Sequence, residues 1–174
     1  MFTEIKTKKF IIKEFTLKDK GSFEKYVNDP EISKNNLDIP YPYPKEKIDV
    51  LFDQMISYYS QETPKHLAYG IYINNEVCGY IGLHKIHKNH KAEIGYWLAK
   101  RYRNQGIMTL VIKKICKYGF KDLNLKRIWA PVFSYNIESK KVLEKNGFVL
   151  EGILKKSVIK DKKMVDEWIY AKLK

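Results

Sequence analysis

Residues 92–109 read AEIGYWLAKRYRNQGIMT, and the fold turns on the change of character halfway along this stretch. Ala92 to Leu98 has the aromatic and aliphatic content of a strand. Past Gly106, the apolar positions Met108, Val111, Ile112, Ile115 and Phe120 recur at helical spacing, with Lys113, Lys114 and Lys117 on the other face. A strand that passes into a helix through a basic, glycine-containing turn leaves the first helical N–H groups without intrahelical partners. Together with the helix dipole, and with Arg101 and Arg103 nearby, those donors suit phosphate oxygens. Many helices begin this way, so the turn alone does not assign a ligand.

Working upstream, Lys9 to Glu14 reads as a strand. Thr16 with Asp19 is a capping-box signature for a helix carrying Phe23, Tyr26 and Val27. The stretch from Asp29 to Pro44 holds four prolines and is expected to be mostly non-helical; its Tyr41 and Tyr43 either line a pocket or pack beneath it. From Lys45 the spacing of Ile48, Leu51, Phe52, Met55, Ile56 and Tyr59 predicts an amphipathic helix that ends before Pro64. Leu67–Ile73, an Asn74-Asn75 turn and Val77–Ile86 predict a hairpin, and the turn His87–Lys91 returns the chain as the strand Ala92–Leu98.

Downstream, Arg127–Phe133 is a short strand. Asn136 is placed as an N-cap, with Glu138 in the first turn and Asn146-Gly147 as the stop. Phe148–Val158 and Lys163–Leu173 close the chain around an Asp161-Lys162 turn. The order is strand, two helices, three strands, helix, strand, helix, two strands, an α/β layout with a mixed sheet.

At 174 residues with 44% hydrophobic content, the chain is read as one globular domain spanning 1–174, too apolar for a disordered chain. No apolar run is long enough to span a bilayer, and the start, MFTEIKTKKF, carries charges where a signal peptide has its apolar stretch. A membrane partner is not expected, and the expected compartment is the cytoplasm. Cys78 and Cys116 form no metal-ligand or disulfide pattern and are read as core residues. The formal charge of +13 invites a nucleic-acid reading, but only Arg101, Arg103 and Arg127 are arginines. Base readout and bidentate phosphate contact favour the arginine fork, so an excess of lysine along the chain is read as a solvated surface and direct nucleic-acid binding is not expected, a non-catalytic basic module that binds nucleic acid or the ribosome being the alternative reading. His84, His87 and His90 alternate faces on extended chain and have no carboxylate or cysteine to complete a set, so no metal is expected.

A second stretch, residues 127–152, RIWAPVFSYNIESKKVLEKNGFVLEG, adds to the first. With TKKFIIKEFTLKD, the proline-rich segment, AEIGYWLAK and RNQGIM in this order, the chain resembles the GNAT superfamily of acetyl-CoA-dependent N-acetyltransferases. Within it, the likeness is to the Rim-type ribosomal-protein alanine or serine N-terminal acetyltransferases. The resemblance implies the GNAT-type acyl-CoA N-acyltransferase fold, a central mixed sheet of about seven strands flanked by about four helices. It also implies acetyl-CoA as co-substrate, a protein N-terminus or a small-molecule amine as acceptor, and a possible homodimer.

The resemblance further implies that the backbone of Trp97, Leu98 and Ala99 pairs with the pantetheine arm, while Arg103 and the residues Asn104, Gln105, Gly106, Ile107, Met108 and Thr109 surround the pyrophosphate. Met108 fills a position that is small in the family pattern. Asn136 would bond the pantetheine end, and Ser139 would lie near the sulfur. Read without the family, Asn136 is an N-cap, Ser139 a first-turn residue and Gly147 a helix stop.

Acetyl transfer needs a neutral amine, a donor for the developing oxyanion and a proton for the departing thiolate. An α-amine, with a pKa near 8, loses its proton far more easily than a lysine near 10.4. Glu93 is the candidate base, bordering the acceptor, with a solvated strand position as its plainer reading. A backbone N–H near Leu98 is expected at the oxyanion. The tyrosine that many relatives place seven residues after the asparagine is Leu143 here, which leaves Ser139 as the candidate acid and Tyr135 in reserve. Tyr41, Tyr43 and the hairpin at residues 84–91 are expected to border the acceptor.

Overall fold

The computed structural model describes residues 4–174; Met1–Thr3, where the reading of the charged start begins, lie outside the described residues. Eight strands are hydrogen-bonded in the order β1-β2-β3-β4-β5-β6-β8-β7. They are β1 (Ile5–Lys6), β2 (Ile11–Lys13), β3 (Leu67–Ile73), β4 (Glu76–His87), β5 (Lys91–Leu98), β6 (Arg127–Phe133), β7 (Val149–Lys160) and β8 (Lys163–Leu173). Five α-helices accompany them: α1 (Lys20–Val27), α2 (Pro30–Lys34), α3 (Lys45–Tyr59), α4 (Ile107–Lys121) and α5 (Ile137–Glu144). The chain folds into two compact units. The first runs to His84 and takes in Gly95–Ile107; the second is Lys85–Ile94 with Met108–Lys174.

The count exceeds the expected seven strands and four helices by one of each, for local reasons. The turn after β1 is closed by Thr7, whose N–H and hydroxyl both donate to the Phe10 carbonyl, so a two-residue strand folds back onto β2. The proline-rich segment, expected to be mostly non-helical, holds a single helical turn, α2. Pro30 sits at its first position, where no N–H is needed, and the Asp29 side chain accepts from Glu31 N–H.

In the first unit, β1, β2, β3 and β4 pair antiparallel in sequence order. Asn74 and Asn75 both take positive φ at the β3–β4 turn, as a tight hairpin requires. One face buries Phe15, Phe23, Phe52, Met55, Tyr72 and Trp97, with Phe23 meeting both Phe52 and Trp97 edge-on at about 5 Å.

In the second unit, β5 and β6 run parallel, whereas β6–β8 and β7–β8 are antiparallel, which makes the sheet mixed. Helix α4 buries Val111, Ile112, Ile115 and Cys116. Helix α5 ends where Gly147 reaches a φ of +78°, a conformation that L side chains rarely adopt. Among the described residues, no helix is long and apolar enough to cross a membrane.

Candidate active site

The end of β5 and the turn after it belong to the first unit. Ala99 N–H donates to the Cys78 carbonyl at 2.8 Å. Strand alternation therefore turns the peptide groups of Trp97 and Ala99 toward β4 and those of Leu98 toward the opposite edge. There the Leu98 carbonyl accepts from Arg103 Nε at 2.9 Å. The same guanidinium donates to Glu31 at 2.7 Å and lies 3.7 Å from Asp29, the N-cap of α2. Arg103 thus ties α2 to the end of β5.

Beyond Arg103, Asn104 and Gly106 take φ values of +61° and +73°, and Gln105 donates from its side chain to the Arg101 carbonyl. Positive φ at 104 and 106, with Gln105 between them outside that region, gives the alternating backbone of an anion-binding nest ahead of a helix start. Beyond its chain neighbours, no heavy atom lies within 4 Å of the position a Cβ on Gly106 would occupy, so that side of the turn is open. Ile107, the first residue of α4, is buried. Residues 99–101 also line a cavity of about 430 Å³ with Lys25, Tyr26 and Asp29.

Tyr41 and Tyr43 part company. Tyr41 is exposed, whereas Tyr43 packs against the aromatic core and its N–H donates to Asn28 Oδ1. Burial, with the nearby Asp38 charge, raises the Tyr43 phenol pKa.

The second unit holds Glu93, Met108, Thr109, Tyr135, Asn136 and Ser139. Glu93 does not lie in open solvent: its side chain is 16% exposed and accepts from Lys85 Nζ at 2.8 Å. It is also the last β5 residue in the ladder with β6, opposite Trp129, and the Lys85 ammonium stands 5.6 Å above the Trp129 ring. Met108 and Thr109 sit half-buried in the first turn of α4. Asn136 caps α5, its Oδ1 accepting from Ser139 N–H at 3.1 Å. Tyr135 is 40% exposed, with its ring 5.5 Å from Phe133. Its phenol pKa is raised by burial and then by the Asp161 charge, so at neutral pH it keeps its proton. Leu143 is fully buried and apolar.

Three partners were not anticipated from sequence. Lys85 holds Glu93, the Asp29–Glu31 pair holds Arg103, and Tyr80 holds His84 by a 3.2 Å contact between Oη and Nε2. Ion-pair partners 8 and 72 positions apart leave no periodic signal, although Asp29 ahead of Pro30 is a legible N-cap. Among the described residues, no cluster of histidine, cysteine or carboxylate side chains could hold a metal ion.

The fold and this strand–turn–helix site define an acyltransferase class, and comparison with known proteins gives the family. The model described as Acetyltransferase (GNAT) domain matches residues 9–149, and the chain belongs to that family of N-acetyltransferases. It is 30% identical to the uncharacterized N-acetyltransferase YnaD of Bacillus subtilis over 169 residues, 96% of this chain and 95% of that protein. It is 31% identical to the ribosomal-protein-serine acetyltransferase of Escherichia coli over 104 residues, 59% of this chain and 58% of that one. Among solved structures, RimL, a ribosomal L7/L12 alpha-N-protein acetyltransferase in complex with coenzyme A, superposes with a TM-score of 0.89. That match has 22% identity and covers 98% of both chains, a likeness of fold.

Proposed function

We propose that this chain, as one N-acetyltransferase domain across residues 1–174, transfers an acetyl group from acetyl-CoA to the N-terminal α-amine of a protein in the cytoplasm, a ribosomal protein being the class its relatives suggest. The observation that carries the acceptor class is the 31% identity to the ribosomal-protein-serine acetyltransferase.

The open Asn104–Gly106 turn and the start of α4 fit the diphosphate of a CoA thioester, through main-chain donors that do not depend on the side chain of Met108. Acetyl-CoA supplies the acetyl group as a thioester. Because Leu98 C=O and Ala99 N–H are already bonded within the protein, the Leu98 N–H is the donor assigned to the pantetheine arm or to the oxyanion. Arg103 acts by positioning, with the main chain of its turn rather than its guanidinium serving the diphosphate.

Glu93 takes the proton from the acceptor amine, directly or through water, and Lys85 fixes its carboxylate. Ser139 returns a proton to the thiolate, with Tyr135 as the second donor. Asn136 serves the pantetheine with the part of its amide not used as the cap.

The test is thiol release from acetyl-CoA with Ser- and Ala-starting peptides, spermidine and a panel of small amines. Release with the peptides supports the reading; release only with small amines replaces it with metabolite acetylation.

A further inference from the structure

The excess of lysine is not spread evenly. The second unit holds nineteen lysines and arginines against eight aspartates and glutamates, +11 of the chain's +13. Within it, residues 108–137 contain six cationic side chains and one carboxylate, Asp122. Lys113, Lys117 and Lys121 form one exposed stripe along α4, about 6 Å apart along the axis. That step is comparable to the separation of successive phosphates in an extended strand.

At the C-terminal end of α4 the stripe meets a cross-linked knot. Lys126 and Lys174 both donate from Nζ to Asn124 Oδ1, at 2.9 and 3.4 Å, and the Asn124 amide donates to Asn89 Oδ1. The main chain locks the same segments: Lys126 and Arg127 N–H donate to the His90 carbonyl, and Lys174 N–H to the Lys126 carbonyl. Two ammonium groups therefore converge on one neutral oxygen. Among the described residues, neither they nor the stripe lysines are ion-paired, unlike Arg127, which pairs with Glu151. Beside them stand exposed Lys88 and the rings of His87 and His90, 6.5 Å apart.

This end lies about 20 Å along α4 from Met108, too far to serve the diphosphate turn. We propose that it is a docking surface for the sugar-phosphate backbone of a single-stranded polynucleotide. Paired ammoniums bridge phosphate oxygens as point charges, and the exposed imidazoles offer faces on which bases stack. The expectation of a solvated surface took the charge as spread along the whole chain, whereas residues 85–94 and 108–174 carry most of it. The proposal goes beyond the acetyl-transfer reading and does not depend on its acceptor.

The experiment is fluorescence anisotropy of the full chain with labelled oligouridylate and oligothymidylate of about 20 nucleotides over a salt series, each phosphate contact adding about −0.7 to the log–log slope. K121Q/K126Q/K174Q is expected to make the slope shallower by about 2 and weaken binding at least about tenfold at moderate salt, with thermal melting confirming that it folds. The control K45Q/K47Q/K65Q, in the first unit, should leave both unchanged. Equal affinity for the two oligonucleotides is the expected mark of backbone contact, and tighter oligouridylate binding would assign RNA as the source. Absence of salt-dependent binding, an equal loss in the control, or displacement by polyglutamate at matched charge would overturn the proposal, the last assigning the surface to an acidic protein.

Discussion

Arg103 donates from Nε to the carbonyl of Leu98, five residues back, while its Nη1 holds Glu31. A residue that the family pattern places at the cofactor thus works inside the protein, fixing the strand end from which the turn departs. Arg103→Gln is expected to raise the KM for acetyl-CoA about tenfold, matching the loss of a charged hydrogen bond of about 1.5 kcal/mol. Steady-state kinetics checks this, and Arg103→Lys, which keeps charge without the fork, should recover little.

Gly106→Ala places a side chain at a φ of +73° but in open space. The cost is therefore conformational, about 1–2 kcal/mol, and it falls on the turn. The expected result is a weaker acetyl-CoA affinity by calorimetry with a modest drop in melting temperature.

Asn136 offers a separable test of cap against cofactor contact. Asn136→Ala should cost about 1 kcal/mol of stability through loss of the bond to Ser139 N–H, and Asn136→Ser should restore it. If the amide also serves pantetheine, the serine variant regains its melting temperature while keeping a raised KM.

Glu93→Gln should lower turnover at neutral pH without changing acetyl-CoA affinity, and Ser139→Ala should do the same. An unaltered pH–rate profile for the first variant, or unchanged turnover for the second, would remove those roles.

The Glu151 carboxyl is held below its ordinary value chiefly by its hydrogen bond to Arg127. Its folded pKa being depressed, the pair's contribution is present above about pH 4.5 and is lost as pH falls through the folded value. Both groups are close to solvent, so the stability difference between the protein and Glu151→Gln should be below about 1 kcal/mol at pH 7. Denaturant unfolding should show it shrinking as the pH is lowered from 4.5 through the folded value.

Much of this architecture is legible in sequence because its signals are local. The Asn74-Asn75 turn, the stripe of α3, the cap at Asn136 and the stop at Gly147 each depend on neighbours within a few residues, and the elements lie where those signals put them. The turn at 103–106 was legible for the same reason. What periodicity could not carry was the α2 turn behind Pro30, and the long-range partners Lys85 and Glu31 that change the meaning of Glu93 and Arg103. The uneven charge could have been counted from the sequence, where residues 108–174 are far more basic than the rest; taking it as spread along the whole chain missed that.

Strand β7 closes one edge of the sheet and exposes Val149, Leu150, Ile153, Leu154 and Ile159. So long an apolar border would template stacking of further copies into aggregates. Two bulges, after Leu150 and Leu154, break its straightness, and Lys155 and Lys156 stand in the second, Lys156 at a φ of +51°. Irregular backbone at these two points works against the register that an incoming strand would need, so the border that looks most adhesive is poorly shaped for edge-to-edge pairing.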